Sequence, residues 1–138
     1  MPIPMVVVDD DDIDRYLVNR LVKKLNQDIR LIEFSNGEDF LTLVTDECRR
    51  KTEIGEPPPP ILVLLDINMP GFNGFDVLKA LEKMPELAGR HLAIVMHSSS
   101  NHPDDISASR SFDFVRDYIE KPLSVARLDN VLTQLCLS

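Results

Sequence analysis

Four aspartates in a row, Asp9 to Asp12, close a short β-branched run, Met5-Val-Val-Val8. Another, Asp66, closes a second apolar run, Ile61 to Leu65. Ser98-Ser99-Ser100 follow the run Leu92 to Met96, and Lys121 follows Tyr118-Ile119 and Glu120. Brought to one place, these residues form a site of carboxylates, hydroxyls and one ammonium. Carboxylates in close company repel, and in isolation at least one stays protonated at neutral pH. A divalent cation relieves that repulsion. Mg²⁺ suits such a site, because it takes oxygen ligands, often one or two carboxylates with phosphate and water. Lys121 can pair with Asp66 or with a phosphoryl oxygen, and the Ser98 hydroxyl can donate to another. With its charge shielded, Asp66 becomes a nucleophile toward phosphorus. In-line transfer then rests on positioning and charge neutralisation.

The elements that must position these residues are short apolar runs alternating with helical patterns. Met5–Val8 reads as a strand buried on both faces. From Ile13 the apolar spacing turns helical, through Tyr16, Leu17, Leu21 and Leu25. Ile29–Phe34 suits a second strand. Ser35-Asn36-Gly37-Glu38 then offers a cap for one helix carrying Phe40, Leu41, Val44 and Cys48. Gly55-Glu-Pro-Pro-Pro-Pro60 reads as a stiff extended connector, since four prolines neither continue a helix nor pair in a central strand. Ile61–Leu65 is the third strand, and Asn73-Gly74 opens a third helix with Phe75, Val77, Leu78, Leu81 and Met84. Leu92–Met96 is the fourth strand. Pro103 begins a fourth helix with a meagre apolar face. Tyr118-Ile119 makes a short fifth strand, and Ser124 caps a last helix through Val125, Leu128, Val131, Leu132 and Leu135.

Five strands alternating with five helices imply a parallel sheet covered on both faces. Ligands of such sheets bind beyond the carboxyl ends of the strands. Asp9, Asp10, Asp66, Ser98 or Ser99, and Lys121 all fall at that edge. Asp9 and Asp10 end a buried strand, a poor place for charge without a task. Asp11, Asp12 and Asp14 read instead as a solvated acidic start to a helix, favoured by its dipole.

Composition narrows the function. The 138 residues suit one domain, and the net charge of −8 argues against binding nucleic acid or anionic lipid through overall charge. Cys48 and Cys136 fit no metal or redox spacing and read as buried or half-buried thiols. No basic segment precedes an apolar stretch at the N-terminus, and no apolar run is long enough to span a bilayer. The expectation is a cytoplasmic protein without membrane contact.

Taken together, these residues resemble the receiver domain of two-component response regulators, in its stand-alone, single-domain type. Val8-Asp-Asp-Asp-Asp12 is similar to its first-strand acidic motif, and Leu64-Leu-Asp-Ile-Asn-Met-Pro-Gly-Phe-Asn-Gly74 to its phosphoacceptor segment. Ser98-Ser99 and Tyr118-Ile-Glu-Lys-Pro122 resemble its two other signatures. The resemblance implies a flavodoxin-like (βα)5 fold with a five-stranded parallel sheet in the order 2-1-3-4-5. It implies that Asp66 is the phosphoacceptor, that Asp10 binds Mg²⁺ directly with Asp9 nearby, and that the Asn68 backbone carbonyl adds a ligand. It also implies that Ser98 is the switch hydroxyl, Lys121 the phosphoryl contact, Tyr118 the aromatic whose rotamer follows activation, and Lys121-Pro122 a cis bond. Ser99 stands as the alternative hydroxyl. The glycine common before Tyr118 is missing; Ser111-Phe-Asp-Phe-Val-Arg-Asp117 stands there, as in some small stand-alone receivers. None of His91, His97 or His102 is expected to be a phosphorelay histidine.

The expected function is a phosphoacceptor that takes a phosphoryl group from a sensor histidine kinase or a histidine phosphotransfer protein. It then switches a protein-binding face around the fourth helix, fifth strand and fifth helix. It is expected to be one receiver domain over 1–138 with no output domain, and no enzyme, though it assists its own phosphorylation and dephosphorylation. The downstream protein is unknown, and a homodimer stays open. One rival is an aspartyl-phosphate phosphatase of the haloacid dehalogenase type, which wants an aspartate where Asn68 stands. The other is a receiver-like binding module that is never phosphorylated.

Overall fold

A computed structural model describes residues 3–55, 60–88 and 90–137. The chain runs β1 (Ile3–Val8), α1 (Asp12–Lys23), β2 (Ile29–Phe34), α2 (Gly37–Thr45), α3 (Glu47–Glu53) and β3 (Ile61–Leu65). It continues through α4 (Gly74–Glu82), β4 (Leu92–Ser98), α5 (Pro103–Arg110), β5 (Val115–Glu120) and α6 (Val125–Leu137). The five strands are parallel in the order β2-β1-β3-β4-β5, as expected.

Alternation along the central strands separates two cores. Val6, Val8, Val63, Leu65, Ile94 and Met96 face α2 and α4, where Phe40, Leu43, Val44, Val77, Leu78 and Leu81 are buried. Met5, Val7, Leu62, Leu64, Ala93 and Val95 face α1 and α6, against Val18, Val22, Leu128 and Leu132. β3 and β4 are buried along their whole length, which is why they read as unbroken apolar runs.

Three expectations are corrected. The one helix expected through Phe40 and Cys48 is two. Asp46 has an extended backbone, ends α2, and caps α3 by accepting from the Arg49 backbone N–H. Arg50 donates to the Val44 carbonyl at 2.7 Å, satisfying an open acceptor of the first helix. α3 buries no residue, and Cys48 on it is exposed, not the buried or half-buried thiol expected. The side chain of Cys136 and the segment 56–59 of the proline connector lie outside the described residues.

The second correction concerns α1. Its buried residues are Val18 and Val22, whereas Ile13, Tyr16 and Leu17 are exposed. Polar anchors at its start, Asp14 on Lys121 and Arg15 on the Asp9 carbonyl, set this rotation. The third concerns β5, which extends well beyond Tyr118-Ile119, and its pairing with β4 shifts register between Ile94 and Val95. At α5 the expected Pro103 start holds, and Ser109 is its one buried residue.

Candidate functional site

β1 leads into Asp9, whose backbone N–H donates to the Phe34 carbonyl at 3.0 Å; β3 leads into Asp66, whose N–H donates to the Val8 carbonyl at 2.9 Å. The sheet ladder therefore carries both side chains to one edge. There Asp9 is 1 % and Asp66 4 % exposed, while Asp10 is exposed. Carboxylate oxygens of Asp9, Asp10 and Asp66 lie within 4.8 Å of one another, an all-oxygen donor set that fits a divalent cation.

The loop after Asp66 is held tightly. Gly74 donates its N–H to the Ile67 carbonyl at 2.9 Å, and a Cβ at this position would lie 2.4 Å from the Asp66 carbonyl oxygen. Only glycine lets α4 start this close to the loop that follows Asp66. Asn73 and Asp76 then fix the helix start in a reciprocal capping box. Asn68 follows Asp66 at the mouth of the pocket.

Lys121 arrives from the end of β5, where its backbone N–H donates to the Ser98 carbonyl at 2.8 Å. The Lys121-Pro122 bond is cis, as the resemblance implied. Lys121 Nζ donates to Asp9 Oδ2 at 2.8 Å and to Asp14 Oδ2 at 2.7 Å, and lies 3.5 Å from Asp66 Oδ1. Burial disfavours its charge. The hydrogen bonds to Asp14 and Asp9 outweigh that and hold its pKa above the ordinary lysine value. Burial, reinforced by the charge of Asp9, pushes Asp66 up to about 6. Burial also raises Asp9, against the opposing pull of Lys121. These carboxylates are therefore uncomfortable as anions, and an added positive charge relieves them.

Ser98 is buried, and its Oγ accepts from the Ser100 N–H at 3.1 Å. Ser99 is exposed and lines the acidic pocket with Asp10, Asp66, Asn68 and Lys121. Tyr118 lies farther along, half-buried, its hydroxyl donating to the Ser100 carbonyl at 2.7 Å. Ser100 Oγ in turn donates to Asp105 Oδ2 at 2.6 Å.

Two site residues escaped the sequence reading. Asp14, read there as part of a solvated helix start, binds the lysine directly. Arg15 donates to the Asp9 carbonyl at 2.6 Å and pairs with Asp12. The signal was available: Asp11 caps α1, so Asp14 lies in the first turn of a helix leaving the acidic strand end. Helical side chains lean toward the N-terminus, back over that edge.

Comparison with known proteins places this architecture. The family model described as the response regulator receiver domain matches residues 5–133. The sensory/regulatory protein RpfC of Xanthomonas campestris is 28 % identical over 134 residues, 97 % of this chain, which spans 16 % of that protein's length. The two-component response regulator ORR13 of rice is 27 % identical over 140 residues, covering 95 % of this chain and 96 % of its own. Among solved structures, a two-component response regulator from Cytophaga hutchinsonii superposes with a TM-score of 0.81 at 23 % identity, covering all of both chains.

Proposed function

This chain belongs to the response regulator receiver domain family, and from that premise we propose that Asp66 is its phosphoacceptor, phosphorylated with Mg²⁺ by a histidine kinase or a histidine phosphotransfer protein. The observation that carries this is the meeting of Asp9, Asp10 and Asp66 with the Lys121 ammonium at one strand-end pocket. Asp9, Asp10, Asp66 and the Asn68 backbone carbonyl would hold the cation. When bound, it would neutralise carboxylate charge and draw a phosphoryl group toward Asp66.

A carboxylate oxygen of Asp66 attacks phosphorus while the bond from phosphorus to the donor imidazole nitrogen breaks, its electron pair staying on the nitrogen. Lys121 takes a phosphoryl oxygen. The Ser98 hydroxyl takes another, so its contact with the Ser100 N–H has to change. Ser100 also receives the Tyr118 hydroxyl, which links the event to β5 and α5. The readout is then a shift between two existing arrangements of the face formed by α5, β5 and α6, met by a downstream protein in the cytoplasm. The domain acts stoichiometrically, as an acceptor and not as an enzyme with turnover. Asn68, where a phosphatase of the haloacid dehalogenase type would place an acid, gives that rival no support.

On this reading the donor approaches beside α1. There a groove of about 510 Å³, lined by Leu17, Leu21, Lys24, Pro122 and Leu123, adjoins Lys121 and offers apolar contact. The test is incubation with Mg²⁺ and acetyl phosphate, followed by intact-protein mass. The wild type gains one phosphoryl group and Asp66→Asn gains none; equal labelling of the two would refute the assignment.

A further inference from the structure

Building on the phosphoacceptor reading of Asp66, we propose that Asp14 is a positioning residue that holds the Lys121 ammonium in the resting protein and gives it up when Asp66 carries a phosphoryl group. Asp14 thereby acts as a brake on the activated state. Lys121 has three N–H donors, and three carboxylates surround them. In the resting arrangement the ammonium is within hydrogen-bond distance of Asp14 and Asp9, at 2.7 and 2.8 Å, and stands off Asp66 at 3.5 Å. The lysine side chain is 12 % exposed, so water is a poor substitute for either partner.

Asp14 cannot easily follow the lysine. It sits in the first turn of α1, whose start is fixed by the Asp11 cap and by Arg15 on the Asp9 carbonyl. A phosphoryl group on Asp66 adds negative charge beside the ammonium, at the carboxylate that now stands farthest from it. Lys121 then moves toward Asp66, and the contact with Asp14 is the one that lengthens. Asp9 shares the strand edge and the carboxylate cluster with Asp66, and can keep its contact. The loaded state therefore loses a charge-assisted hydrogen bond that the resting state has, and its population falls accordingly.

Beryllofluoride, a phosphoryl mimic, tests this on the full chain in saturating Mg²⁺ by calorimetric titration. Asp14→Asn should bind it about fivefold to tenfold more tightly than wild type, the low end of a coupling between sites. That gain should vanish in a Lys121→Gln background, which a merely structural effect of the substitution would not do. In the unloaded Asp14→Asn protein, the ¹⁵Nζ resonance of Lys121 should move toward its position in the loaded wild type. Asp14→Ser should repeat these results. Equal or weaker binding by Asp14→Asn, or a gain that persists without Lys121, overturns the role of Asp14 and leaves the acceptor assignment intact. Failure of the wild type to bind beryllofluoride any better than Asp66→Asn would instead remove the acceptor assignment, and this proposal with it.

Discussion

At the scale of single residues, His97 is the side chain least explained by packing. It is 3 % exposed, and its Nε2 has no hydrogen-bond partner among the described residues. Burial, aided by the charge of Lys121, lowers its pKa to about 4. The folded protein thus holds it neutral where the unfolded chain, near 6.5, takes up a proton. His97 therefore costs no stability above pH 6.5 and progressively lowers it as pH falls toward 4, by on the order of 2–3 kcal/mol. His97→Leu should flatten this acid loss, seen as a smaller difference between urea midpoints at pH 7 and pH 4.5. The serines divide differently. Ser98 is enclosed and bonded to the turn that anchors Tyr118, whereas Ser99 faces the open pocket. Ser98→Ala should still accept phosphoryl on Asp66 yet lose most of the beryllofluoride-induced change in the Tyr118 ring resonances. Ser99→Ala should keep that change and alter mainly the rate of phosphoryl loss, followed by mass over time. Composition and position had placed both serines at the strand end, but which hydroxyl is enclosed depends on the last backbone turn, which no spacing encodes.

At the scale of elements, strand identities were legible because β1, β3 and β4 bury both faces and advertise it as apolar runs. Helix rotation was not. α1 carries apolar residues around much of its circumference, so the spacing through Ile13, Tyr16 and Leu17 competed with the spacing through Val18 and Val22. Polar anchoring decides the contest, because Asp14, Arg15, Val18 and Val22 share the inward side. The break between α2 and α3 was missed for a related reason. Asp46 is an ordinary surface residue until its carboxylate caps the following turn. The start of α4 yields a sharper expectation. A methyl group at Gly74 would press on Asp66 and Ile67 backbone atoms, which cannot rotate away. Gly74→Ala should destabilise the domain by about 2 kcal/mol or more, measured by denaturant unfolding. It should also weaken beryllofluoride binding beyond what the stability loss explains, because the displaced backbone carries Asp66.

At the scale of the molecule, the strand order brings residues more than a hundred positions apart, Asp9 and Lys121, into contact at 2.8 Å. That order followed from the family resemblance, and the site from knowing that parallel strands share one carboxyl edge. The site's third carboxylate on the lysine had a faint signal that a commoner reading masks, since an aspartate one turn into a helix is common without any task. The chain as a whole carries a net charge of −8, and its most enclosed carboxylates stand together. Saturating Mg²⁺ should therefore raise the melting temperature by about 5 °C or more, as a ligand that binds only the folded state does. Asp9→Asn and Asp10→Asn should each remove most of the rise, as read by differential scanning calorimetry.

α5 packs little of itself into either core; Ser109 is its one buried residue, and its tie to the sheet runs through Ser100 to Tyr118 and Asp105. In terms of cooperative opening, it should detach at a free energy far below that of global unfolding. Amide hydrogen exchange should find its protons released well before those of α2 and α4, and Tyr118→Phe should speed that release further while β3 and β4 stay protected. A surface with so little holding it can be re-aimed by a hydrogen bond or two, and the central strands need take no part in the movement.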